Sequence, residues 1–79
     1  MTLRVLYVDD EPDIREIAEM ALCLDPDLEV RTCASGEEAL TVAPAWKPHL
    51  ILLDMMMPKL DGPTTLAKLR ERPETAAIP

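Results

Sequence analysis

Phenylalanine is absent from this 79-residue chain, tyrosine and tryptophan occur once each, and there are two glycines, one histidine and two cysteines. Each scarcity removes a class of protein. Cys23 and Cys33 have no Cys-x-x-Cys spacing and no histidine pair nearby, which argues against a zinc site or a disulfide framework and fits a reducing cytoplasm. No glycine-rich turn follows the first apolar run, so a dinucleotide-binding Rossmann unit is disfavoured. No stretch approaches the roughly 20 apolar residues of a membrane span, and MTLRVLYVDD lacks the pattern of a signal peptide, so neither anchoring nor export is expected. Basic residues number eight against 15 acids, for a net charge of -7. They are scattered singly apart from Arg70 and Arg72, leaving no stripe that could follow a phosphate backbone, and direct nucleic-acid binding is not expected.

What remains is a chain 48% hydrophobic and 29% charged, the balance of one small globular domain. A domain of this size buries only about 60% of its unfolded surface, so its stability margin is thin. Residues 3–8 form an apolar run interrupted only by Arg4, as in a strand covered on both faces. Pro12 suits the first turn of a helix over 12–24, in which Ile14, Ile17, Ala18, Ala21 and Leu22 recur on one face and Arg15, Glu16 and Glu19 fall outside it. Residues 28–33 alternate like a strand nearer an edge. Ser35 and Glu38 make a capping box for a helix over 36–46, with Pro44 expected to kink or stop it near Ala43 and Trp46 packing after the break. A second continuous apolar run spans 49–54 and closes on Asp54, and a helix over 62–72, capped by Asp61, follows. Strand and helix alternating with short loops predict an α/β domain with a parallel sheet, its two continuous apolar strands adjacent.

The chemistry lies where oil meets acid. In LYVDDEPD four carboxylates fall within five positions, and Asp9 and Asp10 end the first strand as Asp54 ends the third. Ligands of open α/β sheets bind at the carboxyl ends of the strands. Adjacent strands lie about 5 Å apart, so the three acids converge there, and their repulsion calls for a cation. Magnesium, an octahedral oxygen-liganded ion that keeps waters, fits Asp10, Asp54 and a backbone carbonyl from the loop just after Asp54. A carboxylate beside such an ion can attack phosphorus, and Asp54, alone on its strand end, is the better nucleophile.

Together VDDEPDIRE, CASGEEAL and LILLDMMMPKLDGPTTLAKLR resemble a bacterial response-regulator receiver domain. The resemblance implies a flavodoxin-like parallel sheet of strand order 2-1-3-4-5. It implies phosphoryl transfer from a histidine kinase or phosphotransfer protein to Asp54. It also implies magnesium held by Asp10, Asp54 and the backbone carbonyl of Met56, with Asp9 joining through water. A whole receiver has five βα units, with a Ser or Thr ending strand four and a Lys ending strand five. This chain carries about three units, to Pro79, and neither residue is in it; Lys59 is not that lysine. The third strand is then expected to be an exposed edge, which either further chain or a second copy, as a homodimer, would cover.

Plainer roles are expected elsewhere. Glu11, Asp13, Glu16 and Glu19 read as a solvated helix face, Met55 to Met57 as adaptable packing, His49 as surface, and Arg70 and Arg72 as a basic helix end. Beside the phosphoacceptor, two other functions are open to such a chain. One is a non-switching interaction or dimerisation module. The other is a magnesium-dependent phosphohydrolase, disfavoured because Asp54 lacks Asp-x-Asp spacing, so no enzyme is expected.

Overall fold

The computed structural model describes residues 2–54, 62–73 and 75–79. Its elements run β1 (Leu3–Val8), α1 (Pro12–Leu22), β2 (Leu28–Cys33), α2 (Gly36–Trp46), β3 (Leu50–Leu53) and α3 (Gly62–Glu71). The three strands form one parallel sheet in the order β2-β1-β3, with Val8 opposite both Cys33 and Leu53. This is the flavodoxin-like arrangement over three βα units, with the two continuous apolar strands side by side. No described helix is long and apolar enough to cross a membrane.

Alternation along the strands sorts side chains into two layers. Leu6, Val8 and Cys33 face α2 and α3, where they pack with Ala39, Ala43 and Leu69 into a buried cluster flanked by Leu40, Val42, Trp46, Ile51 and Leu53. The α1 layer is thinner. Of the expected stripe, Ile14, Ile17 and Ala21 stand in water, with Ile17 63% exposed, while Ala18 and Leu22 are half-buried; α1 has no buried residue. Arg15, expected outside the stripe, shares the half-buried line with Ala18 and Leu22. The Arg15 guanidinium donates to the Asp9 carbonyl (2.9 Å), which ties that line to the end of β1.

Helix ends follow local chemistry. α1 stops at Leu22 rather than at 24, because the Leu24 N–H bonds the Ala21 carbonyl (3.4 Å) in a tightened last turn. At the start of α2, Ser35 Oγ accepts the Glu38 N–H (3.1 Å), while the Glu38 carboxylate reaches the Ala34 N–H (3.0 Å). Asp61, expected to cap α3, lies outside the described residues. β3 starts at Leu50 and ends at Leu53, and α3 ends at Glu71, each within a residue of the sequence-based bounds.

α2 does not end at Pro44 but runs on to Trp46. A proline lacks the N–H that would satisfy the carbonyl four residues earlier, here that of Leu40. Arg72, just past α3, fills the gap: its Nη1 donates to the Leu40 carbonyl at 3.0 Å. The helix closes on Lys47 in the left-handed region (φ 56°, ψ 62°). Arg4 holds that turn through Nε and Nη2, both donating to the Lys47 carbonyl (3.1 and 2.9 Å). The Arg4 N–H donates to His49 Nδ1 (2.9 Å), so exposed His49 pins the N-terminal end of the sheet, far from the acids.

In the described sheet β3 is an edge strand, with Leu50 and Leu52 partly exposed. Its outer side meets the C-terminal residue, where the Ile51 N–H donates to the Pro79 carbonyl (2.9 Å). Trp46 packs on the core within the last turn of α2, and the Arg31 guanidinium lies 5.6 Å from its ring centroid.

Two outcomes follow from this packing. Arg72→Ala should cost about 1 kcal/mol in urea unfolding, the worth of one hydrogen bond. In a Pro44→Ala background, where residue 44 regains its N–H, that cost should shrink towards zero; equal costs in both backgrounds would break the link between the two residues. Cys33 is buried, and burial, then the Glu38 charge, push its thiol up to about 11, with Arg31 pulling slightly the other way. Cys23 is exposed. A disulfide reagent at about pH 8 should therefore label one thiol at once, the phase lost in Cys23→Ser, and Cys33 only on unfolding. Because the unfolded thiol binds fewer protons in that window, Cys33 lowers stability as pH climbs from about 8.5 towards the folded value of about 11.

Candidate functional site

The parallel ladders continue one residue past the strands. The Asp9 N–H donates to the Cys33 carbonyl (3.1 Å) and the Asp54 N–H to the Val8 carbonyl (2.9 Å). Backbone pairing thus delivers Asp9 and Asp54 to neighbouring positions on one rim of the sheet, with Asp10 in the turn that follows. One carboxylate oxygen from each of Asp9, Asp10 and Asp54 lies within 4.8 Å of the others.

The three acids are not equivalent. Asp9 is 6% exposed, whereas Asp10 and Asp54 are half-buried. Both oxygens of Asp9 are engaged: Oδ2 accepts from the Tyr7 hydroxyl (3.1 Å) and Oδ1 from the Glu11 N–H (3.0 Å). Burial, the hydrogen bond to Asp9 and the charges of Asp9 and Asp54 raise the Tyr7 phenol above its ordinary value, so it remains a donor at neutral pH. Glu11, Asp13, Glu16 and Glu19 are exposed, as a solvated face requires.

The structure therefore brings together three of the four residues expected from sequence, Asp9, Asp10 and Asp54. The fourth, Met56, lies outside the described residues. Two contributors were missed. Tyr7 had a legible sign, since it sits two residues before Asp9 on one strand and so on the same face. Arg15 had none, because a charged residue on an amphipathic helix is ordinarily assigned to water.

Three carboxylates this close repel one another in low dielectric, a cost that a hard divalent cation removes. An all-oxygen donor set with room for water suits magnesium better than zinc, which takes nitrogen and sulfur.

The family model for the response regulator receiver domain matches residues 5–79. The chain is 45% identical over 75 residues to a probable transcriptional regulator of Cyanophora paradoxa, a match covering 95% of this chain and 31% of that protein. It is 37% identical over 67 residues to a protein-glutamate methylesterase/protein-glutamine glutaminase of Rhodopseudomonas palustris, covering 85% of this chain and 18% of that one. The chain thus spans a third or less of these curated relatives. Among solved structures, the N-terminal domain of a response regulator receiver protein from Methanoculleus marisnigri superposes with a TM-score of 0.93 at 37% identity, over 100% of this chain and 63% of that one. With its sheet order, its acid rim and these likenesses in agreement, the chain belongs to the receiver-domain family of two-component response regulators.

Proposed function

We propose that Asp54 is the phosphoacceptor of a phosphorelay, receiving its phosphoryl group from a histidine kinase or phosphotransfer protein. The observation that carries this reading is the convergence of Asp9, Asp10 and Asp54 within 4.8 Å at the strand ends of a receiver-family chain. An Asp54 oxygen attacks phosphorus, the bond from phosphorus to the donor's imidazole nitrogen breaks, and its electron pair returns to the ring. Asp10, Asp54 and the backbone carbonyl of Met56 would hold magnesium, with Asp9 reached through water. When bound, the ion neutralises charge on the transferred group. The protein's own task is positioning: the β1–β3 ladder fixes the Asp54 backbone, and Tyr7 and Glu11 fix the Asp9 carboxylate.

Leu50 and Leu52, partly exposed on β3, favour a second reading, self-association through that edge, with a second copy displacing the Pro79 carbonyl from the Ile51 N–H. It is separable by sedimentation across a concentration series: a species that stays monomeric throughout removes it.

With a small-molecule phosphodonor and magnesium, intact-mass measurement should find one phosphoryl adduct, lost on chelation and in Asp54→Asn; an adduct that survives Asp54→Asn would sink the assignment. Asp10→Asn relieves like-charge repulsion, so in chelator it should unfold about 1 kcal/mol later than wild type. The same variant should lose most of the stabilisation that added magnesium gives the wild type.

A further inference from the structure

We propose that Tyr7 is a positioning residue that sets which cation the acid rim accepts. The inference rests on the metal-binding reading above. Its basis is the fixing of the Asp9 carboxylate: Asp9 is buried, and each of its oxygens already accepts a hydrogen bond from the protein, Oδ2 from the Tyr7 hydroxyl at 3.1 Å and Oδ1 from the Glu11 N–H at 3.0 Å. The Asp9 carbonyl is held as well, by Arg15 Nη1 at 2.9 Å. Neither the side chain nor its backbone can turn without breaking one of these bonds.

A carboxylate whose two oxygens share their charge with fixed donors is a weaker direct ligand and remains a good acceptor for a cation's waters. That arrangement suits magnesium, which gives up its hydration reluctantly and is satisfied by few protein oxygens. It penalises calcium, which takes six to eight direct oxygens in a flexible shell and so loses Asp9 as a ligand. Of the two side-chain anchors, only the Tyr7 hydroxyl can be deleted without altering the backbone. Tyr7 lies on the central strand, in register with Thr32 and Leu52, and Tyr7→Phe keeps the ring there while freeing Asp9 Oδ2.

The test is calorimetric titration of the intact protein with magnesium and, separately, with calcium. Tyr7→Phe should raise calcium affinity relative to magnesium about fivefold, the size expected for one hydrogen bond. In an Asp9→Asn background the same substitution should leave the ratio of the two affinities unmoved, because Asp9 is the mediator. A thermal melt in chelator checks that Tyr7→Phe is folded, and general loosening would weaken both cations alike without moving their ratio. If wild type binds magnesium and the ratio is unchanged in Tyr7→Phe, the Tyr7 role is overturned while the metal site stands. If wild type binds neither cation, both fall.

Discussion

Parallel pairing of β1 with β3, Val8 against Leu53, is the constraint on which the molecule depends. The next step of that ladder, the Asp54 N–H on the Val8 carbonyl, carries an acid from a distant part of the chain to the end of the central strand. Parallel register leaves no freedom here: a slip of one residue would turn Ile51 and Leu53 out of the core and Asp54 away from Asp9. The apolar packing that fixes the register and the electrostatic crowding at the rim are therefore one arrangement, with burial on the α2 and α3 side opposing repulsion at the strand ends.

The opposite end of the sheet is built differently. There Arg4 bonds the Lys47 carbonyl twice and exchanges backbone and imidazole hydrogen bonds with His49, so donors meet acceptors. The acid end gathers like charges, with Asp9 held on both oxygens. Complementary pairing lies at one pole and like-charge crowding at the other, the distribution expected of a fold whose binding rim is the acid end.

Much of this was legible because its causes are local. An apolar run closing on a carboxylate is costly enough to mark β1 and β3 and their acids, and Ser35 with Glu38 announces α2 within four residues. What escaped depends on partners distant in sequence. Amphipathicity placed Ala18 and Leu22 of α1 correctly on the inner side, but not Arg15, whose bond to Asp9 crosses to the end of β1. Proline chemistry predicted a break at Pro44, and nothing near it told of Arg72. Tyr7 is the intermediate case: strand alternation placed it beside Asp9, but not with its hydroxyl on the carboxylate.

The bond from Arg72 to the Leu40 carbonyl joins two parts of the chain 32 residues apart. A proline inside a helix is easier to accommodate when something else serves the orphaned acceptor. Pro44 and Arg72 therefore work as a lock and its key: the end of α3 holds closed a gap that α2 carries within itself, so the last turn of α2 is sound only while the two helices stay docked.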